Sequence, residues 1–285
     1  MATLLTLRRR IKTARNVSKT TKAMQMIAAS KLKRAQDAAM QSKPYVEELE
    51  QVSKQMSARI DKDNLHQYMV KQDNINPKLY IVISPDKGLC GGLVTNLVRE
   101  VIRFEGKDKN YFLTIGKKAQ NFVAGANKEI IASFSFGTTL PSFDIVYPVM
   151  QIINEYFLGK KVSEVIIVTT KFVNVFSQIP QISNLLPVKL SENETGRKES
   201  TMIFEPDVND LLPDLLQRYI EMMLYQGVLE SYASEQASRM IAMKNATDNA
   251  YDIIDTLKLM YNKSRQEKIT NELLDITGGM QNQYG

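Results

Sequence analysis

The stretch DLLQRYIEMMLYQGVLESYASEQASRMIAMKNATDNAYDIIDTLKLMYNKSRQEKITNELLDIT, Asp214–Thr277, contains no proline and a single glycine, Gly227. Gly and Pro are the strongest local breakers, so a run this free of them reads as one helix. At 1.5 Å per residue it would be about 95 Å long. Steps of three and four pick out Leu215, Tyr219, Met222, Gln226, Leu229, Ala233, Gln236, Met240, Met243, Thr247, Ala250, Ile254, Leu257 and Tyr261, a heptad-like seam. No compact domain of this size buries such a rod, so a second rod should lie beside it.

The other end of the chain supplies one. The first glycine is Gly88, and only Pro44, Pro77 and Pro85 precede it. The same steps give Leu4, Leu7, Ile11, Ala14, Ser18, Thr21, Gln25, Ala28, Leu32, Ala35, Ala39, Ser42, Val46, Leu49, Ser53, Met56 and Ile60. Many of these are small or apolar, while Ser18, Thr21, Gln25 and Ser42 are polar. Such a seam permits close helix approach but makes a weak zipper by itself. Pro44 removes one backbone donor and is expected to bend the helix slightly. The simplest reading is an antiparallel two-helix coiled coil, residues 1–62 with residues 206–285. A bundle of shorter helices is the alternative, disfavoured by the missing breakers.

Between the rods, after a linker at 63–77, strand and helix signals alternate over 78–205. Strands are expected at Leu79–Ser84, Tyr111–Ile115, Glu129–Phe136 and Glu164–Phe172, with a last edge strand at Ile182–Val188. Helices are expected at Leu93–Phe104, Lys117–Ala126 and Asp144–Leu158. Alternation of this kind implies a Rossmann-like α/β domain with a mostly parallel sheet and helices on its faces. Asn193–Ser200 is polar and reads as a loop.

Composition removes several chemistries. No apolar run approaches the ~20 residues needed to span a bilayer. The start, MATLLTLRRRIK, lacks the apolar run and cleavage site of a secretory signal. It continues smoothly into the helical pattern, so it reads as mature protein. Cys90 is the only cysteine and His66 the only histidine. That rules out an internal disulfide, suits a reducing compartment, and leaves neither a metal-ligand cluster nor a thiol–imidazole dyad. The turn Lys87-Gly88-Leu89-Cys90-Gly91-Gly92 follows the first strand, where nucleotide phosphates bind in such folds. It matches neither G-x-G-x-x-G nor the G-K-[ST] phosphate loop, so a tight turn or a protein contact fits better. No cofactor is expected.

The formal charge of the 285 residues is +6, which points to an acidic partner. Residues 1–36 carry Arg8, Arg9, Arg10, Lys12, Arg15, Lys19, Lys22, Lys31, Lys33 and Arg34 and no acid. Arg8, Lys12, Arg15, Lys19 and Lys22 form one stripe beside the seam. A solvated face would normally mix signs. Part of the counter-charge is expected from within: if paired positions sum to about 266, Asp248, Asp252 and Asp255 fall beside Lys19, Arg15 and Lys12. Exposed pairs of this kind are worth only ~0.2–1 kcal/mol each, so they would set register more than strength. The same register leaves the last ~20 residues beyond the pair, about 30 Å if helical. Ile269, Leu273 and Ile276 would then be exposed on a lone helix, which needs a sleeve of other protein.

Four segments carry a family resemblance. Lys22-Ala-Met-Gln-Met-Ile-Ala-Ala-Ser-Lys31 resembles the N-terminal signature of F-type ATP synthase γ subunits, and Asp86-Lys-Gly-Leu-Cys-Gly-Gly92 their central turn. Ala233-Ser-Glu-Gln-Ala-Ser-Arg-Met-Ile-Ala-Met-Lys-Asn-Ala-Thr-Asp-Asn-Ala250 resembles the C-terminal signature, and Tyr261-Asn-Lys-Ser-Arg-Gln-Glu-Lys-Ile-Thr-Asn-Glu272 the tip. They occur in order across the whole chain. The tail from Gly278 departs from relatives in being Gln/Asn-rich, and the chloroplast-type cysteine-pair insertion is missing.

The resemblance implies a non-catalytic central-stalk rotor, one copy per complex, which couples proton or sodium flow to ATP synthesis or hydrolysis. Its implied partners are three α and three β subunits, the ε subunit and the c-ring, with no nucleic acid. It would be peripheral on the cytoplasmic side of a bacterial plasma membrane, or on the matrix side of the mitochondrial inner membrane. By the same resemblance Met24 and the adjacent Lys22 face the acidic loop of β, and Lys87–Gly92, with Lys87 and Cys90 as coupling contacts to β or α, sits near the same level. Arg265, Gln266, Thr270 and Glu272 match positions that touch other β loops, and Phe204 and Glu205 fall in the foot near ε and the c-ring. Arg239, Lys244, Asn245 and Asp248 stay undivided between packing of the rods and contact with β. Two rival readings remain. A basic coiled-coil nucleic-acid binder lacks aromatic residues within its basic stripe, and a Rossmann-like enzyme with helical arms lacks the phosphate fingerprint.

Overall fold

The computed structural model describes residues 3–57, 66–70, 72, 77–106, 109–135, 137, 139–188, 205 and 207–281, with side chains through residue 274. Helix α1 spans Leu4–Ser57 and continues through Pro44. Then come β1 (Lys78–Ile83), α2 (Leu93–Phe104), β2 (Tyr111–Ile115), α3 (Lys117–Gly125), β3 (Glu129–Phe134), α4 (Val146–Phe157), β4 (Glu164–Phe172) and β5 (Gln178–Leu186). Helix α5 closes the chain at Val208–Gln281. Asp207 caps it: its carboxylate accepts from the Asn209 N–H at 2.8 Å, as an N-cap acid should. The chain divides into two compact units, residues 1–28 with 240–285, and residues 29–239.

In the larger unit five strands form one sheet in the order β3-β2-β1-β4-β5. β1 pairs parallel with β2 and β4, and β2 pairs parallel with β3. β5 returns antiparallel along β4. Side chains alternate across the sheet, so each strand feeds two cores. Leu79, Ile81, Ile83, Leu113, Ile115, Val165 and Ile167 pack under α1, α4 and α5. Tyr80, Val82, Phe112, Ile166 and Val168 pack under α2 and α3. With helices wound on both faces, the order reverses beside β1, whose neighbours are β2 and β4. The helix α5 lies close on β4: a Cβ added at Gly227 would stand 3.1 Å from both Ile167 Cδ1 and Thr169 Cγ2. In this unit Leu32, Ala35, Leu49, Ser53 and Met56 of α1 and Tyr219, Met222, Leu229, Ala233 and Gln236 of α5 are all buried.

The last strand differs from the sequence reading. It starts at Gln178 instead of Ile182 and ends at Leu186. Pro180 does not stop the pairing, because it stands opposite Thr170 on an edge strand, where no N–H is needed. The expected helix from Asp144 begins with a short 3-10 turn at Phe143–Ile145 before α4. The Asn193–Ser200 loop, Ile60 and the tail beyond Gln281 lie outside the described residues, as do the side chain of Ile276 and most of the 63–77 linker.

In the smaller unit the two helices pair antiparallel through Leu7, Ile11, Ser18 and Ala28 against Met243, Thr247, Ala250 and Ile254, all buried. The Thr21 and Thr247 hydroxyls share a 2.7 Å hydrogen bond. In the larger unit Ser42 Oγ donates to Gln226 Oε1. Both pairs give a positional sum of about 268, close to the ~266 expected from coiled-coil geometry. The expected ion pairs do not form. Among the described residues none joins Asp248, Asp252 or Asp255 to Lys12, Arg15 or Lys19, and Asp255 instead accepts from Lys258 of its own helix at 2.7 Å. All six side chains sit on exposed faces away from the seam. There a one-turn pair on the same helix costs less ordering than a bridge between helices.

Candidate functional site

The segment after β1 is built to hold an unusual shape. Leu89 and Gly91 have φ of +64° and +57°, the left-handed region that suits glycine and strains leucine. Asp86 fixes the start of the turn. Its two carboxylate oxygens accept from the Lys117 N–H at 3.0 Å and the Gly137 N–H at 2.9 Å. Beneath it Ser84 Oγ accepts from the Ala119 N–H at 2.7 Å. Gly116, with φ +106°, passes so close to Ser84 that an added Cβ would lie 1.9 Å from its carbonyl oxygen.

The far side of the turn is held by α5. Ser238 Oγ donates to the Cys90 carbonyl at 2.6 Å. Arg239 Nη2 donates to the carbonyls of Lys87 and Gly88, both at 3.3 Å. The same guanidinium pairs with Glu235 at 2.7 Å, and both side chains are nearly buried, 12% and 10% exposed. Burial pushes the Glu235 carboxyl above its ordinary range, and the neighbouring Arg239 pulls it partly back. Burial likewise pushes the Cys90 thiol up, the opposite of what a nucleophile needs.

This is the place where open α/β sheets usually bind ligands, outside the C-terminal ends of the strands where the order reverses. Here that crevice is occupied by α5. Ser231 and Ser234 meet the C-terminal end of β4, and Ser238 and Arg239 meet the turn after β1. The turn's carbonyls, not its N–H groups, face the helix, so the local dipoles suit the cation already there.

Of the residues singled out from sequence, Lys87 and Cys90 come together on this turn. Cys90 is buried, whereas Leu89 is 62% exposed. In the other unit Lys22 is exposed and Met24 half-buried on α1, and Arg8, Lys12, Arg15 and Lys19 form the exposed basic stripe. On α5 every residue from 265 to 274 is exposed, including Arg265, Gln266, Thr270 and Glu272. Glu272 lies 3.6 Å from Lys268. Glu205 is exposed, and Phe204 lies outside the described residues. Arg239, left undivided by the sequence, is committed to the turn; Lys244, Asn245 and Asp248 are exposed. The serines and Glu235 had no role in the sequence reading. Their signal in the sequence is the spacing of Ser231, Ser234 and Ser238 by three and four, which puts three small hydroxyls on one helix face beside Glu235.

A family model described as ATP synthase matches residues 3–282. The ATP synthase gamma chain of Dehalococcoides mccartyi (strain CBDB1) is 38% identical over 281 residues, covering 98% of each chain. The chain belongs to the ATP synthase gamma chain family. That of Ruthia magnifica is 37% identical over 278 residues, 96% of each. Among solved structures, a chain of the Euglena gracilis mitochondrial ATP synthase (OSCP/F1/c-ring, rotational state 3) matches with TM-score 0.72 and 19% identity, covering 99% of this chain and 94% of that one. One from the Tetrahymena thermophila central stalk and c-ring matches with TM-score 0.60 and 22% identity, covering 80% and 99%. At such identities the likeness is one of fold: long N- and C-terminal helices with an α/β sheet between them in sequence. Among the described residues no helix is long and apolar enough to cross a membrane.

Proposed function

We propose that this chain is the rotating central-stalk subunit of a proton- or sodium-driven F-type ATP synthase, without an active site of its own. Its partners are three α and three β subunits, the ε subunit and the c-ring, and it attaches to the membrane only through them. The observation that carries this reading is the end of α5. By the register of the smaller unit, Leu4 at the start of α1 falls opposite position ~264. From 265 to 274 the helix has no α1 residue beside it and is exposed throughout, with Ile269 at 49%, Leu273 at 59% and Leu274 at 62%. Apolar residues on a helix exposed all round call for enclosing protein. Arg265, Gln266, Thr270 and Glu272 supply polar groups that can exchange partners as the helix turns.

Within the same reading, the basic stripe with Lys22 and Met24, and the turn bearing Lys87 and Cys90, contact β. Glu205 and Phe204 lie in the foot near ε and the c-ring. Residues 78–205 serve as the α/β domain, 1–62 and 206–285 as the shaft, and 63–77 as the linker. Asymmetry then does the coupling. A shaft that shows a different face to each β subunit biases each toward a different nucleotide affinity.

Native mass spectrometry of the complex purified through this chain tests the proposal. One copy bound to two larger subunits present in equal numbers, together with a membrane ring, is the expected result. A chain that purifies alone, or bound to DNA in a salt-sensitive manner, defeats it.

A further inference from the structure

The contact between α5 and the sheet is unlike the rest of the core. Thr170 of β4 lies beyond the pairing with β1, which ends at Val82 and Val168. On its other side it stands opposite Pro180, but its backbone N–H and C=O both point away from β5. They lack strand partners there, and at 2% exposure water does not replace them. Helix α5 does. Ser231 Oγ accepts from the Thr170 N–H at 3.2 Å, and Ser234 Oγ donates to the Thr170 carbonyl at 2.9 Å. One turn on, Ser238 takes the Cys90 carbonyl and Arg239 those of Lys87 and Gly88. Ser231, Ser234 and Ser238 are spaced by three and four and so share one face of the helix.

We infer that this ladder is the joint through which turning force passes between the sheet and α5. The inference rests on the rotor reading above. Apolar packing is non-directional and resists sliding weakly. Hydrogen bonds to fixed backbone groups are directional. A slip of one residue along α5 moves each serine by about 1.5 Å and about 100° around the axis. No bond of the ladder survives that, and the Thr170 N–H and C=O are then left buried and unpaired. The ladder thus fixes both axial position and rotation of the helix, using residues too small to pack by shape. The sheet supplies two separate anchor points, the ends of β4 and β1, so a twist about either one is opposed by the other.

The test uses the whole complex, reconstituted in vesicles, with the triple variant Ser231→Ala, Ser234→Ala, Ser238→Ala. Alanine keeps the helix and removes only the hydroxyls. Expected is ATP hydrolysis within about twofold of the parent, with ATP-driven ion pumping per ATP reduced at least about threefold against a pre-formed gradient, since three bonds of the joint are gone. Ser238→Thr, which retains the hydroxyl, should pump as the parent does. Pumping per ATP equal to the parent in the triple variant overturns the joint. If the triple variant fails to assemble, the single variants Ser234→Ala and Ser238→Ala decide: a lowered ratio supports the joint, and parental ratios overturn it. Failure of the rotor reading looks different, because the parent chain itself would then support no pumping. In that event amide exchange at Thr170 in the isolated chain still judges the ladder. Faster exchange in Ser231→Ala supports it, and unchanged exchange overturns it.

Discussion

Replacing Arg239 by alanine should be far more damaging than neutralising its partner Glu235, and the damage should shrink in acid. The guanidinium makes a 2.7 Å ion pair with Glu235, and neither side chain is more than 12% exposed. Removing the cation leaves a carboxylate with almost no water and only the weaker influence of Lys31, a loss of about 3–5 kcal/mol for a broken buried pair. The two 3.3 Å bonds to the Lys87 and Gly88 carbonyls add at most about 0.5–1.5 kcal/mol each. Glu235→Gln instead relieves the desolvation that raises its carboxyl pKa, and also the repulsion from Asp86. Arg239 keeps its carbonyls and an amide oxygen to bond. That variant should cost about 1 kcal/mol or less, and the double variant less than Arg239→Ala alone. The pH sign follows from linkage. Arg239 lowers the Glu235 pKa, so its removal pushes an already raised value higher. Between the ordinary carboxylate range and that raised value, the folded variant holds a proton that the unfolded chain has released. Stability therefore falls as pH rises through this window and is regained on acidification. Urea unfolding followed by circular dichroism, across a series of pH values, measures both effects. A neutral-pH loss below about 1 kcal/mol, or a deficit relative to the parent that grows in acid, would refute the account of a buried, desolvated pair.

Gly116→Ala should cost more than about 3 kcal/mol, since it forces a Cβ to within 1.9 Å of the Ser84 carbonyl oxygen at φ +106°. Gly137→Ala, at φ +74° with nothing within 4 Å, should cost only about 1–2 kcal/mol, and thermal unfolding of the two separates clash from backbone strain. Cys90, 2% exposed and with its thiol pKa raised by burial, should resist iodoacetamide in the native chain and react readily in urea; equal rates would contradict the closed turn. Replacing Asp248, Asp252 and Asp255 together by asparagine should change stability by less than about 1 kcal/mol, because these exposed acids make no interhelical pair.

The coiled coil was legible because its rule is purely periodic. Each seam position read from steps of three and four between Leu4 and Met56, and between Leu215 and Tyr261, is buried or half-buried. Small residues at Ala28, Ala35, Ala233 and Ala250 fit the same rule as large ones, since the period matters more than side-chain size. The strands and helices of the sheet followed from alternation with the turn residues between them. The start of β5 did not, because the tolerance of Pro180 depends on which side of the strand lacks a neighbour, a property of the sheet and not of the strand. The charge pairing failed for a related reason. Register places Asp252 near Arg15 along the helices, but it does not say how far round each helix the side chain points, and an exposed carboxylate has cheaper partners on its own helix.

The candidate site was the least legible part because its chemistry is carried by backbone. The motif Lys87–Gly92 looks like a phosphate loop when judged by position, and it lacks the fingerprint when judged by residues. What decides between them is a helix more than a hundred residues away in sequence, whose Arg239 and serines bond the carbonyls of the turn and the unpaired end of β4 and so fill the place where a ligand crevice would open. A doubly wound sheet has one exit for unpaired strand ends, at the point where strand order reverses. In an enzyme that exit is left open and the cost of its unpaired groups is met by substrate or water. Here the same groups are met by a helix of the same chain. The geometry that elsewhere gives a binding cleft is thus closed by packing within the chain, with no change in the topology of the sheet.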